Sequence, residues 1–234
     1  MRMNVVLLLV TMVASSAAFA QKVTLFDGVW VRSDMIDELK STRSVRASLQ
    51  TLAEPSLPLA IVIGVQADSI RSCMVARSFN DSASKILPYI SIPGFGNRYL
   101  LDDRWVIASD SLNGQYIALY DKANVVEKPF VYARIPTKNR SLSFVLQRIV
   151  NIAVLEGRWI DSTGDEYRFF ADQHAEWPAG TFQYSLMIQP RANHRLQITG
   201  GKMYTWECDG SVLKLYVPSD KGRKRRTTIR LQRR

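Results

Sequence analysis

A glycine–x–tryptophan tripeptide preceded by an acidic residue occurs twice in this chain, as Asp27-Gly28-Val29-Trp30 and as Glu156-Gly157-Arg158-Trp159. Each copy opens a β-rich run, and each run ends in a strand that carries an arginine: Ala133-Arg134-Ile135 in the first, Ile229-Arg230-Leu231 in the second. The second opening is the clearer. Its sequence LEGRWIDSTGDEYRFF reads as a strand, a tight turn at Ser162-Thr163-Gly164-Asp165 and a returning strand with Tyr167 and Phe169 on one face. A doubled opening with a doubled close predicts two β-barrel-like halves.

The leader sets the compartment. Met1-Arg2-Met3-Asn4 is followed by an apolar run and then by Ser15-Ser16-Ala17-Ala18-Phe19-Ala20. A charged start, a short apolar core and a small-x-small ending are the marks of a secretory signal peptide, expected to be cleaved after Ala20. The run is short for ~30 Å of hydrocarbon, which argues against a membrane anchor. An exported protein, periplasmic or secreted, is therefore expected. The net charge is +10, but residues 221–234 hold eight basic residues and no acidic one. The charge question is thus a question about the C-terminal end. The two cysteines, Cys73 and Cys208, fall one in each half. Export permits a disulfide between them; the alternative is that each is a small apolar residue buried on its own strand.

Along the chain, residues 23–32 read as a strand, then Ser33 or Asp34 caps a short helix with Ile36 and Leu39 on one side. Residues 41–58 show no period and are expected as an exposed excursion. Residues 59–66 are continuously apolar at their centre, as in a strand buried on both faces. Strands follow at 72–79, 85–92, 105–109, 115–121 and 129–135. Pro88 assigns the second of these to an edge or a bulge, and Asn113-Gly114 is a hairpin signal. Over 137–155 the period changes. Leu142, Val145, Leu146, Ile149, Ile152 and Ala153 recur at helical spacing behind Ser141, with Lys138, Arg140, Gln147, Arg148 and Asn151 facing out. The second half then reads as strands at 158–161, 166–171, 182–189, 195–198, 203–208, 212–217 and 227–231, with 172–177 as a further candidate. Turn residues every dozen positions indicate an antiparallel meander, hence a barrel or sandwich.

Catalytic chemistry is not visible. His174 and His194 are the only histidines, and neither has a cysteine or second histidine nearby in sequence, so no metal is expected. No serine sits in a nucleophile elbow and no glycine-rich phosphate loop precedes a helix, so no cofactor is expected. The acidic residues around the 161–176 hairpin read as a solvated turn. The aromatic pattern carries more. Tyr167, Phe169, Phe182, Tyr184, Tyr204 and Trp206 alternate so as to project inward. They either fill a small barrel or line an apolar pocket with hydroxyl and indole donors at its rim. Lys221, Arg223, Lys224, Arg225 and Arg226 form a basic run before the last strand, suited to an anionic membrane or cell-wall surface. The absence of interleaved aromatic residues argues against nucleic acid.

These residues resemble the lipocalin-like modules of exported bacterial envelope proteins. The likeness rests on Gly157-Arg158-Trp159, on the hairpin from Asp161 to Phe169 and on the closing Asp209-Gly210-Ser211-Val212-Leu213-Lys214-Leu215-Tyr216. In that family an arginine of the last strand packs on the first-strand tryptophan at the closed end of the barrel. The resemblance implies that Trp159 pairs with Arg230 and Trp30 with Arg134, as structural contacts. The expected protein is mostly β. A signal peptide spans 1–20, a first lipocalin-like barrel 21–136, a linking helix 137–155 and a second barrel 156–234, one larger antiparallel barrel being the alternative. The implied function is non-enzymatic binding of a small apolar or amphipathic ligand. The alternative is an envelope scaffold with filled barrels, contacting an anionic surface or a protein partner.

Overall fold

The computed structural model describes residues 27–52, 54, 56–67, 70–79, 85–92, 98–101, 103–109, 114–123, 128–138, 141–189, 194–217 and 227–234. The signal peptide and the basic run of Lys221, Arg223, Lys224, Arg225 and Arg226 lie outside the described residues.

The protein is mostly β, and its strands form two antiparallel barrels rather than one larger one. The first takes its strands in chain order: β1 (Gly28–Arg32), β2 (Ala60–Ala67), β3 (Ile70–Ala76), β4 (Lys85–Ser91), β5 (Arg98–Leu101), β6 (Trp105–Ser109), β7 (Tyr116–Asp121) and β8 (Phe130–Ile135). The second takes β9 (Gly157–Ile160), β10 (Glu166–Phe169), β11 (His174–Trp177), β12 (Gly180–Met187), β13 (His194–Ile198), β14 (Met203–Asp209), β15 (Val212–Tyr216) and β16 (Thr227–Arg233). It closes where Arg233 of β16 stands opposite Trp159 of β9. Each strand pairs with its chain neighbour, the arrangement that short turns impose on an antiparallel meander.

Contacts sort the chain into two compact units. The first holds the described residues of Met1–Val31, Ile61–Val75 and Lys85–Arg140. The second holds those of Arg32–Ala60, Ala76–Ser84 and Ser141–Arg234.

In the first unit, alternate positions turn Trp30, Cys73, Leu87, Tyr99, Leu101, Ile107, Leu119 and Tyr132 inward, and all are buried. The continuous burial of Ala60, Ile61, Val62 and Ile63 matches the expectation of a strand covered on both faces. Pro88 does not mark an edge. It is opposite Ser72 of β3, and pairing with β5 begins at the next residue, Tyr89. The missing N–H thus falls where one ladder ends and the other starts. Strand β5 was not expected. It is only four residues long, although Tyr99 and Leu101 do alternate inward.

The second unit includes more than its barrel. Residues 41–58 are not an exposed excursion. Helix α1 (Ser33–Thr42) buries Met35 and Leu39, leaving Ile36 half-buried. Its N-cap is Arg32, whose own guanidinium is fully buried and chelates Asp34 while donating to the Glu54 carbonyl at 2.7 Å. Helix α2 (Val45–Gln50) is capped by Ser44, whose hydroxyl accepts from the Ala47 N–H, and it buries Val45 and Ser48. Leu52, Leu57 and Leu59 are buried beyond it. The Thr42 carbonyl accepts from Gly210 N at 3.2 Å, which joins α1 to the β14–β15 turn.

Helix α3 (Leu142–Val150) buries Leu142, Val145 and Leu146 as expected, while Ile149, expected inside, is half-buried and Val150 is buried beside it. At Asn151 it widens into a π-helical turn, Asn151–Leu155. The wider turn rotates the inward face by one position. Asn151, expected outside, is buried, and Ile152, expected inside, is 41% exposed.

Candidate functional site

The two ends of the second barrel are built differently. At the closed end the Trp159 indole N–H donates to the Leu155 carbonyl at 2.7 Å. The Asn151 amide donates to the Phe170 carbonyl at 2.8 Å and its oxygen accepts from the Tyr184 hydroxyl. The guanidinium over the Trp159 ring, 5.3 Å from its centre, is that of Arg233 and not Arg230. Period-two alternation explains the correction. Leu231 is buried inside, so Arg233 shares its face, whereas Arg230 is exposed and stands opposite Lys214 on the outer face. Arg233 also donates to the Val154 and Glu156 carbonyls. A Cβ added to Gly157 would lie 2.9 Å from Arg233 Nη2, and φ there is +131°. The glycine of Gly-x-Trp is therefore the room that the arginine needs. The first unit repeats the device: Arg134 sits 5.7 Å from the Trp30 ring, as expected, and donates to the Asp27 carbonyl at 2.7 Å.

The structure brings the six predicted aromatics to one interior. Tyr167, Phe169, Tyr184, Tyr204 and Trp206 are buried and Phe182 is half-buried. The residue that joins them, Trp177, was not singled out by the sequence. Its ring meets Tyr167 at 5.4 Å, Phe182 at 4.8 Å, Tyr204 at 5.6 Å and Phe169 at 6.1 Å, each edge to face. Strand β11 is four residues long and carries His174 and Glu176 on its outer face, which hid the inward pair Ala175 and Trp177. Phe169 also meets Tyr184 at 5.7 Å. The lower interior is filled by Trp159, Phe169, Tyr184, Leu186, Trp206, Leu213 and Leu231. Toward the opposite end the rings of Phe182 and Trp177 are only half-buried. Tyr167 reaches the hairpin there, its hydroxyl 3.4 Å from Asp161 Oδ2. Burial, with Asp161 adding to it, holds the Tyr167 hydroxyl above the usual tyrosine range. The Trp177 indole N–H is buried and has no hydrogen-bond partner among the described residues.

The remaining titratable groups are held by structure. Asp161 Oδ1 accepts from Thr163 Oγ1 at 2.6 Å, Thr163 N at 2.9 Å and Asp165 N at 3.0 Å, a turn that occupies the carboxylate. The Thr163 hydroxyl leads in lowering its pKa. Both cysteines are buried thiols, and burial pushes Cys208 up to about 12. His174 stacks on Phe170 at 4.3 Å. Among the described residues no cluster of three His, Cys, Asp or Glu side chains could hold a metal.

His194 tilts over Trp206 at 4.8 Å, accepts from Gln189 N and is pushed down by burial to about 4. An unfolded histidine titrates near ~6.5, so the unfolded chain takes up this proton first as pH falls. Stability is therefore full above that value, declines between it and the folded value, and levels off below. The loss expected from this one group between neutral pH and pH ~4 is about 3 kcal/mol. Urea titrations across that window should show it, and His194→Gln should flatten the slope; an unchanged slope would remove the assignment.

The chain is thus a mostly β protein built on eight-stranded antiparallel barrel architecture, compatible with a lipocalin-like fold. No family model, curated protein or solved structure matches it.

Proposed function

We propose that this is an exported, non-enzymatic lipocalin-like protein that takes a small apolar or amphipathic ligand at the open end of its second barrel. The observation that carries the reading is the ring cluster around Trp177. Its outer members Trp177 and Phe182 are half-buried, and an indole N–H there lacks a partner. Rings with few polar groups are the usual lining of a small-ligand site. The ligand would lie shallow, against Tyr167, Trp177, Phe182 and Tyr204, because the interior below is filled.

The filled interior also favours a second reading, an envelope scaffold whose basic end meets an anionic surface. The two separate cleanly. Titration with N-phenylnaphthylamine, a neutral apolar fluorophore, should raise its emission, and Trp177→Ala should weaken binding about tenfold, the order of one aromatic anchor. No emission change, together with salt-sensitive binding to anionic vesicles, would replace the first reading by the second.

A further inference from the structure

We propose that the first barrel carries a separate binding site, for a small amphipathic anion: a carboxylate or phosphate monoester on a short apolar tail. A cleft of about 750 Å³ lies at its Gly-x-Trp end, against the start of β1, the start of β7 and the end of β8. Its volume falls within the roughly 300–1,000 Å³ of small-molecule sites. Val29, Ala133, Ile135 and Tyr116, the last 45% exposed, supply its apolar lining. Arg134 stands at its edge.

The two arginines of the repeated closing device differ in what they have left to offer. Arg233 is engaged by two carbonyls, those of Val154 and Glu156. Arg134 is exposed and, among the described residues, donates only to the Asp27 carbonyl, beside its contact with the Trp30 ring. A guanidinium has five N–H donors in a planar fork, so several of those on Arg134 are unused. Paired unused donors fit a carboxylate or a phosphate. The one acid of the cleft, Asp27, does not oppose this. Its Oδ1 is buried against Gly64, where a Cβ would come within 2.3 Å of it, and Gly64 is not part of the cleft lining. That oxygen is thus withdrawn from the cleft; the head group would sit at the end of β8 beside Arg134, and the tail would lie along the outer face of that strand, over Ala133 and Ile135 beside the Tyr116 ring.

Calorimetric titration of the mature protein with octanoate, octyl phosphate and octanol tests the site. Both anions should bind at least about tenfold more tightly than octanol, the order of one charge-assisted contact. The ratio between the two anions tells carboxylate from phosphate. Arg134→Gln should abolish the preference for anions. Because it also removes the Trp30 contact, Tyr116→Ala provides the second variant. It should weaken both anions severalfold at an unchanged melting temperature. Trp177→Ala, which addresses the other barrel, should leave anion binding as it was. Absence of binding, octanol binding as tightly as the anions, anion binding that survives both cleft variants, or its loss in Trp177→Ala would each overturn the proposal.

Discussion

Trp159→Ala should cost the second barrel about 3–5 kcal/mol, the range for removing a fully buried tryptophan. That is a large share of the ~5–15 kcal/mol that holds a domain folded. Three separate contributions converge on this one side chain. It is wholly buried. Its N–H satisfies the Leu155 carbonyl at the end of the π-helical turn, an orphan acceptor otherwise. Its ring carries Arg233, a cation–π contact worth roughly 1 kcal/mol when partly desolvated, and that arginine in turn ties down Val154 and Glu156. The measurement is guanidinium unfolding followed by circular dichroism. A loss under about 1 kcal/mol would show that the closed end is not held this way. Arg230→Ala, on the outer face, should change stability by no more than ~0.5 kcal/mol.

Asn151→Leu should also be costly, at about 1–3 kcal/mol, for a different reason. The side chain is close to isosteric and more apolar, so the cost is not packing. It is the stranding of one buried group, the Tyr184 hydroxyl, since the Phe170 carbonyl still accepts from the Gln173 N–H at 3.1 Å. Burial holds Tyr184 protonated well above the usual tyrosine range, so it has a hydrogen to give and nowhere else to give it. The double variant Asn151→Leu, Tyr184→Phe should recover part of the loss, because the hydroxyl is then gone too. A double-mutant cycle should return a coupling above about 1 kcal/mol. Additive losses would mean that the two groups do not depend on each other.

These residues also show where the sequence was legible. Strand positions in the second half could be read from period-two alternation, since Tyr184 and Leu186, or Leu213 and Leu215, each put one face inside. The Gly-x-Trp openings were legible because a positive φ and the approach of an arginine leave glycine as the residue that fits. The partner of Trp159 was misjudged by taking the arginine nearest the expected strand centre. Carrying the alternation on from Leu231 would have reached Arg233. Asn151 was beyond that kind of reading. Its burial depends on a π-helical turn, and a turn that breaks the 3.6-residue period cannot be seen by assuming the period. Trp177 was obscured because its strand is too short for alternation to stand out between His174 and Glu176. The helix at Val45–Gln50 was missed because only Val45 and Ser48 face inward, and a buried serine does not register as apolar.

The ladder that closes the second barrel joins Gln232 to Ile160 and Arg233 to Trp159, with the Arg234 N–H donating to the Arg158 carbonyl at 3.1 Å; like the β10–β11 ladder it is two residue pairs long, against five between β14 and β15. Unlike the equally short β10–β11 ladder, this clasp joins strands that no turn ties together, so it is where the ring can spring open. The first and last strands of the barrel would then each present an unpaired edge, and each edge would be complementary to the other on any second molecule in the same state. Two opened chains could trade last strands and rebuild both rings, so the same clasp that completes one molecule is the natural hinge for an intertwined pair.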